Sequence, residues 1–377
     1  MGIKNLIAWL KKNHHSVLSQ EHISKWEYTT IAVDGSIFMC KFKATAQEQW
    51  LESFISMVCW LRRANIHPIF VWDGSPPPEK NEEKMRRKIL KKKQEDNINR
   101  LEAAIESYDA FRTPHRTPHR TPEAEAKAMT IPQKNLLQEV FAKEEKKMAP
   151  LLICPGGRPF SIDIVKDKLA KMKKNNFTIR PADYELLKKC LDVLKIPHVQ
   201  APGEAEKWCC QMVKDGIAEA VFSEDSDCMA YGVSTLLCKP LYNENKWTVI
   251  RHDELLEELQ WTHSQFVDFC IMCGTDYNKN IRGIGPNKAY RLIDTSRKIE
   301  DLPMSPEQLS ILKYSAARRL FTLKSNMVYQ KPKTKRWWTS KPCMTQVASF
   351  IARHNLHSTT HQIENSFFRQ FNTFCFN

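Results

Sequence analysis

Three short apolar runs in this chain each end in acid. Thr30-Ile31-Ala32-Val33 runs into Asp34-Gly35, and Ile69-Phe70-Val71-Trp72 runs into Asp73-Gly74. Ala220-Val221-Phe222 runs into Ser223-Glu224-Asp225-Ser226-Asp227. The runs are rich in β-branched and aromatic residues and do not alternate, which suits parallel strands covered on both faces. Helical patterns fall around them, over Glu48 to Ala64, Pro181 to Leu194 and Glu204 to Asp215. Alternating strands and helices predict an α/β fold with a doubly wound, mostly parallel central sheet and helices on both faces. Such sheets bind ligands at the carboxyl ends of their strands, where Asp34, Asp73, Asp225 and Asp227 fall.

Three further acids join these four. Ala201-Pro202-Gly203-Glu204-Ala205-Glu206 opens a helix after a turn, and Gly274-Thr275-Asp276 closes one. Taken singly, each acid has a plainer role. An Asp-Gly after a strand is a turn, Glu204 and Glu206 suit the first turn of a helix, and Asp225-Ser226-Asp227 caps or loops. Taken together, seven carboxylates at element ends repel one another and cannot all stay ionised without a counter-charge. Divalent cations supply it. All-oxygen donors without Cys or His favour Mg²⁺, with Mn²⁺ as a substitute, over zinc, and two ions can share the set.

Composition limits the partners. The 377 residues carry a net charge of +14, which points to a polyanion, nucleic acid before membrane. From Gln308 to Ile363 there are ten Lys or Arg and no Asp or Glu. No apolar run approaches the roughly 18 residues of a membrane span, and the start lacks a secretory signal pattern. The twelve cysteines therefore read as reduced intracellular thiols. Cys270 and Cys273, the one CxxC, lie in an apolar helical stretch and read as buried thiols rather than zinc ligands. Glycine is sparse, at eleven, so Gly35, Gly74, Gly203, Gly274, Gly283 and Gly285 mark places of special backbone need.

The chain resembles the flap endonuclease and XPG family of structure-specific 5′ nucleases. The matching text is Met1-Gly2-Ile3, IAVDGS around Asp34, PIFVWDGSPP around Asp73 and IPHVQAPGEAE ending at Glu206. It continues with SEDSDCMAYG around Asp225 and FVDFCIMCGTDYNKNIRGIGPNKA around Asp276. The resemblance spans roughly 1–110 and 178–300, and all seven acids keep their order. It implies a PIN-like nuclease fold with a helical arch and a helix–hairpin–helix element, and Mg²⁺-dependent cleavage of branched or flapped DNA, with 5′ exonuclease activity as an accompaniment. It further implies that Asp34, Asp73, Glu204 and Glu206 hold one ion and Asp225, Asp227 and Asp276 the second. Lys80 and Arg87 match the basic pair at the base of the arch. Seven apart, they would share a helix face and stabilise the phosphate in the transition state. The surrounding run from Glu79 to Arg100, nine basic and five acidic residues, equally suits a solvated face. Ile281 to Ala289 reads as the hairpin, with Gly283, Gly285 and Lys288 meeting DNA phosphate and K⁺ as a bound ion. Gly2 and Gly274 are expected beside the DNA.

The pattern also breaks. Where the family stacks a Tyr on a base, this chain has Cys40, with Phe38 or Phe42 as substitutes. Met57 stands where a basic residue is expected, with Arg62 and Arg63 one turn later. The expected organisation is 1–110, a nuclease region with the start of the arch; 111–178, an insertion carrying three Arg-Thr-Pro tetrads; 179–310, the second nuclease region; and 311–377, a basic tail. Helical patterns recur over Thr130 to Met148 and Ile162 to Asn175, with a break at Pro155-Gly156-Gly157. In the tail, Lys333 to Trp338 interleaves basic and aromatic residues, and Gln362 with Phe367-Phe368 has the wrong spacing for a sliding-clamp motif. The expected protein is a monomer of the nucleus, or of the host nucleus if viral, without membrane attachment. A catalytically silent binder of branched DNA and an RNA-cutting relative are the competing readings.

Overall fold

The computed structural model describes residues 2–112, 129–148, 160–323, 341–358 and 360–368. Its strands are β1 (Ser19–His22), β2 (Thr30–Asp34), β3 (His67–Trp72), β4 (His198–Gln200), β5 (Ala220–Phe222), β6 (Thr235–Leu241) and β7 (Lys246–Arg251). They form one sheet in the order β1-β7-β6-β5-β2-β3-β4. The five strands from β6 to β4 run parallel, and β7 lies antiparallel between β6 and β1. The three acid-tipped runs are therefore neighbours at the centre, β5-β2-β3. The chain passes from β2 to β3 on one side and later returns to β5 on the other, so a crevice opens at the carboxyl ends where the order reverses.

Each central strand divides its side chains between two cores. Ile31, Val33, Phe70, Trp72 and Phe222 face one side with helices Gly35–Ala46 and Trp50–Arg63. Ala32, Ile69, Val71 and Val221 face the other with Ala205–Lys214 and His263–Cys273. Both faces are dry, which is why the strands read as unbroken apolar runs. Cys270 and Cys273 are buried thiols on the second face.

The carboxyl-terminal helix Thr360–Phe368 also belongs to this body. Ile363 and Phe367 enter the first core. Arg62 lies beneath, 1% exposed, with its guanidinium 2.5 Å from the Ile66 carbonyl oxygen and 5.4 Å from the Phe367 ring. Met57 is buried as well. Neither can serve as a surface contact to DNA; of the candidates on this helix, Arg63 is exposed.

The chain divides into two compact units, Met1–Glu83 with Ile179–Asn377, and Lys84–Thr178. The second gathers helices Asn81–Arg112, Ile131–Met148 and Ile162–Asn175 around Leu101, Ala104, Ile105, Leu137, Phe141 and Val165. The last two are the helices the sequence pattern predicts over Thr130 to Met148 and Ile162 to Asn175. The Arg-Thr-Pro tetrads, Pro155-Gly156-Gly157 and Lys333 to Trp338 lie outside the described residues. Among the described residues, no helix is long and apolar enough to cross a membrane.

Candidate active site

In-register pairing sets the acids side by side. Val33 pairs with Phe222 and Asp34 with Val71, so β2 and β5 end within one residue of each other. Asp34 then begins the helix Gly35–Ala46: its Oδ1 accepts from the Ile37 amide at 3.1 Å and its Oδ2 from Ser223 Oγ at 3.1 Å. The capping role and the site role coexist in one carboxylate. Asp73 is exposed, and its Oδ1 accepts from the Ala205 amide at 2.9 Å, tying the end of β3 to the helix that carries Glu204 and Glu206. Gly74 makes that junction possible. A Cβ there would stand 2.1 Å from the Ala201 carbonyl oxygen, a backbone atom that cannot step aside. The Asp225 amide donates to Ser223 Oγ at 3.0 Å, while Asp225 Oδ1 accepts from the Asp227 amide at 2.9 Å. Glu224 points away and pairs with Lys41.

Six of the seven acids are buried: Asp34, Glu204, Glu206, Asp225, Asp227 and Asp276. Burial, then the charge of Asp73, pushes Asp34 up to about 8. Burial and then Glu204 raise Glu206 well above the ordinary carboxylate range. Burial followed by Asp225 and Asp276 does the same to Asp227. Asp225 is also raised, by burial first and by Asp276 among its neighbours. Asp227 is fully buried, and neither of its oxygens has a hydrogen-bond partner. An ionised carboxylate so placed requires a proton or a cation.

Lys80 provides part of the counter-charge. Its ammonium pairs with Glu204 and lies 3.2 Å from Asp276 Oδ2. Burial opposes that ammonium, yet Glu206, Glu204 and Asp276 together hold its pKa above the ordinary lysine value. Lys80 ends the 3-10 turn Pro78–Lys80, one residue before the helix Asn81–Arg112 begins. Lys80 and Arg87 therefore do not share the face of one α-helix, because the α-helix carries Arg87 alone. Arg87 lies in the second unit.

The donor set suits a hard divalent cation: carboxylate oxygens only, mutually repelling, one of them wholly unpartnered. Among the described residues, no three Asp, Glu, His or Cys side chains already close around a single point. The Lys80 ammonium lies between Glu204 and Asp276 in this arrangement.

The amino-terminal segment sits against the acids. The Ile3 amide donates to Ser226 Oγ at 2.9 Å, and the Lys4 amide donates to the Gly274 carbonyl at 3.0 Å. Gly2 has φ +80, and a Cβ on it would fall 2.1 Å from Asp225 Oδ1. Gly274, at the end of the helix His263–Cys273, has φ +94. Farther along, Gly283 has φ +82, Gly285 precedes the helix Pro286–Ser296, and Arg282 and Lys288 are exposed. The Asn287 side chain accepts from Trp9 Nε1 at 2.9 Å, which joins this helix to Leu6–Asn13.

Several participants went unread in the sequence. Ser223 and Ser226 orient Asp34 and the amino-terminal segment, and their place inside an acid-rich string was the available signal. Tyr277 donates to Glu204. Tyr184 has its ring edge-on to Trp72 at 6.1 Å, and its pKa is raised by burial and by the charge of Asp73. Phe38 and Phe42, offered as substitutes for a stacking Tyr, are both in the core. Phe38 packs on Phe222 at 4.4 Å and Phe42 on Phe54 at 6.4 Å, so neither presents a face to a base.

The XPG N-terminal domain family matches residues 1–95 and the XPG I-region matches residues 195–276. These segments carry all seven acids. A probable RAD2-like endonuclease of invertebrate iridescent virus 3 is 30% identical over 357 residues, covering 87% of each chain. Among solved structures, the catalytic core of Rad2 in complex with a DNA substrate is similar in fold, with a TM-score of 0.62, 14% identity and coverage of 97% and 98%. Flap endonuclease-1 from Methanococcus jannaschii is similar at a TM-score of 0.57, with 20% identity and coverage of 96% and 98%. The chain belongs to the flap endonuclease and XPG family of nucleases.

Proposed function

We propose that the protein hydrolyses phosphodiester bonds in DNA at single-strand/duplex junctions, with two Mg²⁺ ions as cofactors. The observation that carries this reading is the set of buried carboxylates, among them Asp227 with both oxygens unpartnered. Asp34, Asp73, Glu204 and Glu206 would hold one ion, and Asp225, Asp227 and Asp276 the other. Bound there, such cations activate water near neutral pH and offset the charge on the scissile phosphate. Lys80, paired with Glu204 and close to Asp276, would offset charge on the phosphate, and Arg87 is assigned the same role. Gly2 and Gly274 keep the wall of the site low enough for backbone to approach DNA. Gly283, Gly285 and Lys288 grip the duplex beside the cut through amides and one ammonium, with K⁺ at the hairpin. The protein acts as a monomer in the nucleus, in repair, replication or recombination.

The test is cleavage of labelled 5′-flap, bubble, nicked and four-way-junction DNAs with Mg²⁺, beside Asp225→Ala and an EDTA control. Cutting near the junction that disappears in both controls is the expected result. Junction-selective binding without cutting by either protein would replace the nuclease with a silent DNA binder.

A further inference from the structure

Glu204 is held from two sides. Lys80 takes Oε1, and the phenol of Tyr277 donates to Oε2. Tyr277 in turn lies 2.9 Å, oxygen to oxygen, from the phenol of Tyr231. Both tyrosines are buried, 3% and 5% exposed for Tyr231 and Tyr277. The direction of the chain follows from hydrogen-bond chemistry. An ionised carboxylate only accepts, so Tyr277 spends its one proton on Glu204. Its oxygen must then accept from Tyr231. The result is a directed relay, Tyr231 to Tyr277 to Glu204, in which each bond polarises the next.

The surroundings fix both rings. Phe321 packs edge-on against Tyr231 at 5.3 Å and against Tyr277 at 5.4 Å. Lys207 stands 5.6 Å over the Tyr231 ring, and its ammonium donates to the Leu320 carbonyl at 2.6 Å. The backbone that carries Tyr277 is also tied down. Its amide donates to Thr275 Oγ1 at 3.0 Å, and Thr275 Oγ1 donates to Asn278 Oδ1 at 2.7 Å. The relay thus starts from a rigid aromatic block and ends on one oxygen of one acid.

We propose that Tyr231 and Tyr277 are positioning residues that aim Glu204 at its cation. This rests on the reading of Glu204 as a metal ligand. Neither phenol is assigned contact with the reacting phosphate. Tyr231 touches no acid in the relay and acts only through Tyr277, which gives the proposal a signature that simple packing lacks.

The experiment is calorimetric titration of Mn²⁺ into the full chain, without DNA, for the wild type, Tyr231→Phe, Tyr277→Phe and the double variant. Phe keeps both rings against Phe321, and thermal melts of each variant check the fold. Loss of a hydrogen-bonded partner of a metal ligand weakens affinity by about tenfold or more, the effect expected for Tyr277→Phe, with about threefold for Tyr231→Phe. In the double variant Tyr231→Phe adds nothing to Tyr277→Phe, because the relay is already cut. The same two substitutions in a Glu204→Gln background change Mn²⁺ affinity by less than twofold, a second cycle that stands if either phenylalanine variant folds poorly alone. Mn²⁺ binding within twofold of wild type in Tyr277→Phe, or losses that multiply in the double variant, would overturn the relay while leaving the metal site intact. A wild type that binds no Mn²⁺ at all would remove the metal reading itself, and the relay with it.

Discussion

Asp227 concentrates the problem this protein poses. A carboxylate with no exposure and no partner on either oxygen opposes folding whenever it is ionised. Asp227→Asn should therefore stabilise the protein in EDTA at pH 8, by about 1–3 kcal/mol, while metal-dependent cleavage falls by at least about a hundredfold. Urea melts and a flap assay on the same preparation check both halves. The acids also set a pH dependence. The folded-state pKa of Asp34 is about 8 against an ordinary 3.8, so between those values the folded state holds a proton that the unfolded state has lost. Stability of the metal-free protein then falls as pH rises from about 4 to 8. Melting temperatures in EDTA across that range should decline, and millimolar Mg²⁺ should flatten the decline. The acids were legible because each sits at the end of an apolar run or a helix. Tyr231 and Tyr277 were not. A buried tyrosine reads as core, and its bond to Glu204 joins positions 73 residues apart.

At the scale of elements, the strands and helices around the site follow from pattern alone. The central runs are apolar throughout because β2, β3 and β5 bury both faces. What the pattern hides is close approach. Gly74 reads as the second residue of a turn, whereas its function is to let β3 reach the turn at Ala201 to Gly203. Gly74→Ala should destabilise the protein by about 1–3 kcal/mol and displace Asp73, lowering cleavage more than overall fold content. Denaturation midpoints with cleavage rates separate the two effects. The terminal helix was similarly opaque. The spacing of Gln362 and Phe367-Phe368 excludes a sliding-clamp motif but does not show that Phe367 is a core residue packed over Arg62. Phe367→Ala should cost about 3–5 kcal/mol, as truncating a buried aromatic does, and a urea titration measures it.

At the scale of the whole molecule, the charge of +14 governs encounter with DNA. Binding to an uncleavable flap in Ca²⁺ should weaken steeply with salt, the slope on logarithmic axes approaching roughly −0.9 for each phosphate neutralised. Lys288→Ala, an exposed lysine at the start of the helix Pro286–Ser296, should lower that slope by about one, as fluorescence anisotropy at several salt concentrations would record. Composition announced the sign of the partner's charge and nothing of its shape.

The unit Lys84–Thr178 enters the chain between β3 and β4, two strands that pair directly with each other. Their partnership is set by neighbouring backbones, whatever length of chain connects them. A gene encoding such a protein can gain or lose in-frame repeats at this point while the catalytic sheet stays under unchanged selection. The three Arg-Thr-Pro tetrads at Arg112 to Pro122 have the look of such copying events. Among descendants of one ancestral nuclease, this crossover is the place where length should diverge first.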